Sequence, residues 1–191
     1  MQILEIIATI TGIICVYLQT RENILAWPFG ILSVTILSYI FLDQKLYSDT
    51  ILHVIYIGLN IYGWWYWSSG KNQINQTVEI ASMTISEKLL SALIIIFGAS
   101  VWGYFMNRYT DAELAFVDAF TTTGSLAAQY LLSRKVLQNW LIWIVVDVVA
   151  VSMYIYKGLY FTSFMFAVFL GLCIKGYFDW RKTYAAQESN V

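Results

Sequence analysis

Seven stretches of mainly apolar residues divide the chain, and polar segments separate them. A membrane-crossing helix needs about 20 such residues, because the hydrocarbon layer is roughly 30 Å thick and each helical residue rises about 1.5 Å. The pattern predicts spans over residues 2–19, 24–42, 47–67, 87–107, 114–132, 137–156 and 160–179. The one sizeable polar connection covers residues 68–86. We therefore expect an all-α membrane protein whose residues 1–191 form a single transmembrane domain.

The composition is also that of a protein that lies in a lipid bilayer. Only 12% of the 191 residues are charged, against about 25% in a typical soluble domain. The 11 Lys and Arg residues are balanced by 12 Asp and Glu, so no basic surface is available to a nucleic acid. A single histidine excludes a histidine-cluster metal site, and the sequence motifs of intramembrane hydrolases are absent. We expect a protein that is not an enzyme and holds no metal, no cofactor and no nucleic acid.

The charges between the spans predict the orientation in the membrane, because Lys and Arg of short loops stay in the cytoplasm. On the side of the N-terminus lie Lys45, Arg108 and Lys157. The opposite side carries Arg21, Lys71, Lys88, Arg134, Lys135, Lys175, Arg181 and Lys182. The N-terminus is therefore predicted outside and the C-terminus in the cytoplasm.

The chain resembles itself at an offset of 113 residues. Without any gap, residues 5–67 pair with residues 118–180, and 13 of the 63 positions are identical. The identities include a loop arginine (Arg21 and Arg134) and the run Gly-Leu-x-Ile-x-Gly, which begins at Gly58 and again at Gly171. We infer two repeats of three spans, 2–67 and 114–180, joined by a linking span at 87–107. Because the first repeat and the linking span together make four crossings, the second repeat has the same orientation as the first. This 3+1+3 parallel arrangement is that of the SWEET sugar carriers, in which two bundles can rock about a central path.

Polar residues at membrane depth are candidates for function, since a central Asp costs about 2.5–3.5 kcal/mol on insertion scales. Asp147 lies near the middle of span 6. The residues that share its helical face, or lie close to it, are Asn139, Trp140, Trp143 and Tyr154. Span 3 carries a matching stripe of His53, Asn60, Trp64 and Trp67, and span 5 carries Asp118, Thr122, Ser125 and Gln129. We expect these residues to meet at a substrate site near the midplane.

Other interpretations of the same residues stay open. Asp147 could pack against Lys175 or a tyrosine, and His53 could be a bundle histidine with a satisfied hydrogen bond. Trp65 and Trp180 are expected in the aromatic belt at the membrane surface, where tryptophans collect. If the stripes do form a site, aromatic faces beside one buried carboxylate suit a flat ring with a fixed positive charge, because a desolvated cation–π contact contributes about 2 kcal/mol.

Three runs closely resemble the PnuC family of bacterial vitamin transporters: IYGWW at 61–65, QNWLIW at 138–143 and KGLY at 157–160. The resemblance covers most of the chain and implies a SWEET-like fold in a bacterial inner membrane. It also implies facilitated diffusion of nicotinamide riboside for NAD biosynthesis. The matching site positions are Asn60, Asn139, Trp140 and Trp143. The chain has His53 where the family pattern suggests glutamine, and Asp147 where it suggests asparagine.

Alternatives to nicotinamide riboside remain at this point. Thiamine is also an aromatic cation, and relatives of the same fold carry it or other aromatic vitamins. A retinal-binding seven-helix protein is a more remote alternative, with Lys175 as its Schiff-base lysine. The sequence leaves open whether the chain forms a homo-oligomer.

Overall fold

The fold consists of seven α-helices in a computed structural model that describes residues 2–45, 47–69, 78–110 and 113–189. The helices are α1 (Gln2–Thr20), α2 (Ala26–Asp43), α3 (Tyr47–Ser69), α4 (Ile85–Tyr109), α5 (Ala115–Ser133), α6 (Asn139–Tyr156) and α7 (Tyr160–Glu188). The predicted all-α class with seven helices is confirmed. Each helix end lies within about two residues of the prediction, except that α7 continues to Glu188 instead of ending near residue 179.

Five of the described helices are apolar and long enough to cross a membrane by length and composition: α1, α2, α4, α6 and α7. The other two, α3 and α5, are more polar. Helix α5 carries three consecutive threonines at 121–123 together with Ser125 and Gln129. A polar helix is tolerated in a membrane bundle only where its polar face is sheltered from lipid, so α3 and α5 are expected to face the interior.

The helices pack as two sets of three. Helix α2 packs between α1 and α3, and α6 packs between α5 and α7, while α4 packs on α5. The two sets meet where α1 contacts α7 and where α3 contacts α5. The offset of 113 residues makes α1 equivalent to α5 and α3 equivalent to α7. The α1–α7 contact and the α3–α5 contact are therefore equivalent to each other. The packing therefore supports the predicted duplication.

The turns of the two sets also correspond at the offset of 113 residues. Glu22 and Lys135 have φ of 53° and 58° in the α1–α2 and α5–α6 turns. Lys45 and Gly158 have φ of 60° and 73° in the α2–α3 and α6–α7 turns. Positive φ is uncommon outside glycine. Its recurrence at matching positions indicates that both sets reverse direction by the same backbone geometry.

Four tryptophans, Trp27, Trp67, Trp140 and Trp180, form what we call the tryptophan cluster. Trp27 and Trp67 meet edge to face with ring centroids 5.1 Å apart, and the equivalent pair Trp140 and Trp180 does the same at 5.4 Å. Trp67 and Trp180 join the pairs at 5.8 Å. Such aromatic pairs contribute about 0.5–1.5 kcal/mol each beyond the burial of their surface. The cluster therefore ties the two sets of helices together at one end of the bundle.

The prediction that Trp180 belongs to the aromatic belt is wrong. Its side chain is fully buried, and its indole Nε1 donates to the Gln19 carbonyl oxygen at 3.0 Å. Trp180 thus fixes the end of α7 against the end of α1. Trp65, assigned to the same belt, is 64% exposed on the outside of α3.

In each set of three helices, a glycine on the third helix leaves room for the tryptophan of the second helix. A Cβ at Gly63 would lie 2.2 Å from the Trp27 ring, and a Cβ at the equivalent Gly176 would lie 2.7 Å from the Trp140 ring. The first glycines of the two Gly-Leu-x-Ile-x-Gly runs, Gly58 and Gly171, have nothing within 4 Å of such an atom.

We predict that Gly63→Ala and Gly176→Ala each lower the thermal stability of the purified protein in detergent. The added methyl would push a packed indole ring, and overpacking typically costs about 1–3 kcal/mol. Gly58→Ala and Gly171→Ala are the matched controls and should leave the melting temperature unchanged or slightly raised. Equal melting temperatures for all four variants would contradict the packing described for the tryptophan cluster.

Candidate functional site

A cavity of about 1290 Å³ lies between the two sets of helices, and all seven helices contribute to its wall. Ligand sites for small molecules usually measure about 300–1,000 Å³, so a metabolite of nucleoside size fits with room for water. The polar faces of α3 and α5 line this space. The expectation that these two helices turn inward is therefore met by the geometry.

The cavity has an open end and a closed end. We call the end where α2 gives way to α3 and α6 gives way to α7 the open end, because the wall there includes the exposed Asp49 and the part-exposed Asp118. The closed end is where α1 turns into α2 and α5 turns into α6. There the wall ends at Gln19 and Trp140, and the rest of the tryptophan cluster lies behind them.

Helix α6 presents one face to the cavity. Trp140, Trp143, Asp147 and Tyr154 line the wall from the closed end toward the open end, at the spacing of helical turns. Asp147 is only 2% exposed, and its Oδ2 has no hydrogen-bond partner among the described residues. Cys173 of α7 lies beside the same carboxyl group in the cavity wall. Because an unsatisfied buried carboxyl oxygen is costly, Asp147 is poised to bind a ligand group.

Helix α3 provides the opposite part of the wall. Asn60 is 3% exposed, and its amide nitrogen donates to the Tyr56 carbonyl oxygen at 2.8 Å. Gly30 makes room for this amide, since a Cβ there would lie 2.5 Å from the Asn60 Oδ1. Tyr56 of α3 and Ser125 of α5 both line the cavity, so each set of helices contributes hydroxyl groups to its wall.

His53 lies one turn closer to the open end than Tyr56. Its Nδ1 is 2.8 Å from the Asp49 carbonyl oxygen, and because a carbonyl can only accept, Nδ1 carries the proton. The ring packs between Phe41 and Tyr56, with centroids 4.8 and 5.8 Å apart. His53 thus lines the wall with its second ring nitrogen still able to accept a hydrogen bond.

The structure brings six of the eight predicted site residues to this one cavity: His53, Asn60, Trp140, Trp143, Asp147 and Tyr154. Two lie elsewhere. Trp64 is 41% exposed and is not part of the cavity wall. Asn139 is completely buried outside the wall, where its amide nitrogen donates to the Val136 carbonyl oxygen at 2.7 Å.

Sequence reasoning missed the part of the wall that α4 supplies. Phe97, Val101 and Trp102 line the cavity although each is also more than 40% exposed at the surface of the chain. An apolar side chain that faces a cavity cannot be told from one that faces lipid by hydropathy alone. The polar residues of span 5, in contrast, were singled out from the sequence, and all four of them line the wall.

The wall of the cavity is negatively charged. Its described residues include three carboxylates, Asp49, Asp118 and Asp147, and no Lys or Arg. Lys157 lies outside the wall at the open end, with its Nζ 3.4 Å from the Asp118 Oδ2. Since like charges repel strongly in a medium of low dielectric constant, this arrangement favours a cation and disfavours an anion.

Comparison with known proteins places these features in a family context. The sequence model of the family described as nicotinamide mononucleotide transporter matches residues 2–182. The nicotinamide riboside transporter PnuC of Escherichia coli (strain K12) is 25% identical over 201 residues, which cover 93% of this chain and 84% of that protein. The protein of the same name from Neisseria mucosa is 26% identical and covers 92% of this chain and 71% of its own length.

The similarity extends to a solved structure and to a transporter of a different vitamin. The crystal structure of the vitamin B3 transporter PnuC superposes with a TM-score of 0.76 at 25% identity, covering 96% of this chain and 82% of that chain. The riboflavin/roseoflavin transporter RibM of Streptomyces davaonensis is 23% identical and covers 92% of this chain and 83% of its own length.

Proposed function

The chain belongs to the nicotinamide mononucleotide transporter family, whose model matches almost its whole length, and we propose that its substrate is nicotinamide riboside. It is a membrane transporter and not an enzyme, because the family and the relatives compared above are transporters. The observation that carries the choice of substrate is the unpartnered carboxyl oxygen of Asp147 beside the Trp143 ring in the cavity wall.

The chemistry of the wall suits each part of nicotinamide riboside. Its pyridinium ring carries a fixed positive charge, which an aromatic face and a carboxylate stabilise together. Trp143 and Asp147 are one turn apart on α6 and can supply both groups. The ribose hydroxyls and the carboxamide need hydrogen-bond partners, and Asn60 and Gln129 offer amides on the facing helices.

The charge of the cavity wall favours binding of nicotinamide riboside over binding of nicotinamide mononucleotide. The two molecules differ by a phosphate, which carries negative charge at neutral pH. At 4 Å two like charges repel by about 4 kcal/mol at an effective dielectric constant of 20. With three carboxylates and no basic residue among the described wall residues, the cavity supports the nucleoside as substrate and opposes its phosphate ester.

Two other vitamins stay as alternatives. Thiamine also carries a cationic aromatic ring and would use the same groups. The relative RibM is named for riboflavin, which is uncharged and would gain no charge pairing with Asp147. Retinal has no support in the described chain, because Lys175 pairs with Asp179 on its own helix and does not line the cavity.

For the transport step we propose facilitated diffusion by rocking of α1–α3 against α5–α7 about the midplane site. The two sets would be parallel repeats related by an axis along the membrane normal. The matching α1–α7 and α3–α5 contacts support this relation, as do the turns with positive φ at equivalent positions. A cavity that reaches one end and is blocked at the other is what one state of such a carrier requires.

We predict that the purified protein binds nicotinamide riboside and thiamine more tightly than riboflavin, and that nicotinamide mononucleotide binds at least tenfold more weakly than the riboside. Isothermal titration calorimetry with each compound measures this directly. Absence of binding by either cationic vitamin would contradict the proposed substrate class. Equal affinity for riboside and mononucleotide would contradict the charge argument.

Asp147→Asn should weaken nicotinamide riboside binding by at least tenfold, which corresponds to about 1.4 kcal/mol, because it removes the charge and keeps the shape. The control is Asp179→Asn, which removes a carboxylate of α7 that does not line the cavity and should leave the affinity unchanged. If Asp147→Asn binds the cation as tightly as the parent protein, the carboxylate does not contact the ring.

We further propose that the chain spans a bacterial inner membrane with its N-terminus outside and its C-terminus in the cytoplasm. In a Cys15→Ala, Cys173→Ala background, Ser189→Cys places the single thiol of the chain at the exposed end of α7. A membrane-impermeant maleimide should label this thiol in inverted vesicles and not in right-side-out vesicles of the expressing bacterium. Labelling in the right-side-out vesicles would contradict the predicted orientation and place the C-terminus outside.

A further inference from the structure

A buried lysine holds the two sets of helices together at the closed end. The side chain of Lys135, in the α5–α6 turn, is only 4% exposed. Its Nζ lies 2.8 Å from the Glu22 Oε2 and donates to the Val78 carbonyl oxygen at 2.6 Å. It also lies 5.2 Å from the centre of the Trp67 ring. Lysine is rarely buried unless its charge is compensated, and here three groups compensate it.

All three partners of Lys135 come from outside its own set of helices. Glu22 belongs to the α1–α2 turn, Trp67 to α3, and Val78 to the connection between α3 and α4. Glu22 and Lys135 are moreover equivalent positions of the two repeats, and both have positive φ. The two turns therefore extend their side chains toward each other across the boundary between the sets, with opposite charges at matching positions.

The described part of the α3–α4 connection reinforces this end. We call residues 78–83 the strap. The Ala81 amide donates to the Lys135 carbonyl oxygen at 3.0 Å, and the Leu137 amide donates to the Ala81 carbonyl oxygen at 2.9 Å. Gln138 of the same turn bonds the strap twice, to Ser82 and to the Met83 amide. Ile80 of the strap is 3% exposed and packs into the tryptophan cluster.

The contacts at the open end have a different character. The Lys157–Asp118 ion pair there joins the α6–α7 turn to α5, so both of its residues belong to the second set of helices. It can persist whatever the two sets do relative to each other. The Glu22–Lys135 pair cannot, because the cavity reaches the closed end only if the α1–α2 and α5–α6 turns separate.

We propose that Glu22 and Lys135, supported by the strap, form a latch that keeps the cavity closed at the tryptophan-cluster end, and that the Glu22–Lys135 pair must release in each transport cycle. This inference rests on the proposed rocking mechanism. Interactions that exist in one state of a two-state carrier bias its equilibrium toward that state. Removing the latch should therefore raise the population that is open at the tryptophan-cluster end.

The two native cysteines provide the measurement. Cys15 and Cys173 are free and both line the cavity. In a Cys15→Ala background, Cys173 is the single reporter, and alanine is the residue that the second repeat has at the position equivalent to Cys15. A small cationic methanethiosulfonate reagent, applied to right-side-out and to inverted vesicles, gives the labelling rate from each face. The closed end is identified as the face from which the parent protein is labelled more slowly.

We expect Glu22→Gln to raise the labelling rate of Cys173 from the closed end at least fivefold. Lys135→Gln should raise it at least as much, because it also loses the bond to the Val78 carbonyl oxygen. Asp179→Asn is the matched control, since it breaks an ion pair within α7 near the same end and should keep the parental rate. Monodisperse elution in size-exclusion chromatography verifies folding, and the conservative Glu22→Gln variant alone suffices if Lys135→Gln fails to fold.

Parental rates in folded Glu22→Gln protein would overturn the latch. An equal increase in Asp179→Asn would also overturn it, since any lost ion pair at that end would then loosen the bundle. The labelling needs no substrate, so its outcome is separate from the binding measurements. Faster labelling in a protein that does not bind nicotinamide riboside would keep the latch and remove the proposed substrate.

Discussion

The bilayer offers no hydrogen-bond partner to a polar side chain, and this constraint decides the arrangement of the helices. Helices α3 and α5 carry too many polar groups to face lipid, so they face the space between the two sets. The apolar α4 can face lipid on one side and line the cavity on the other. The cavity is thus the place where polar residues are sheltered, and the binding groups gather there for the same reason.

Equivalent positions of the two repeats hold the same residues in the scaffold and different residues at the site. Trp27 and Trp140 are equivalent residues, and each packs against the equivalent glycine and edge to face with the equivalent tryptophan. In the wall, Trp143 and Asp147 of α6 have Gly30 and Val34 as their equivalents on α2. At these positions α6 therefore supplies the aromatic face and the charge, and α2 supplies space. Asymmetry at the site within a symmetric frame is what binding a single asymmetric molecule requires.

The sequence predicted the helices well because each span is a run of apolar residues between polar turns. It missed the last turns of α7, since Arg181 and Lys182 end the apolar run without ending the helix. It misplaced Trp180, because a tryptophan near a helix end has the same hydropathy in a belt as in a buried cluster. Asn139 and Trp64 share a helix face with wall residues in the sequence pattern, yet neither lies in the wall, because the sequence pattern does not show how far along the helix the cavity extends or how the helix is rotated in the bundle. The packing of the helices decides which apolar residues of α4 face the cavity, and hydropathy carries no information about that packing.

The negatively charged wall has an energetic consequence for a carrier of cations. Asp147 pairs with the bound cation but stays with the protein when the substrate leaves, so the net charge that each cycle moves across the membrane is the charge of the substrate itself. Each molecule of a monovalent cation then moves one net charge through the membrane field. A potential of 100 mV, negative inside, contributes about 2.3 kcal/mol per charge and sustains roughly a fiftyfold accumulation at equilibrium. Concentrative uptake would follow from electrophoresis alone, without a coupled ion.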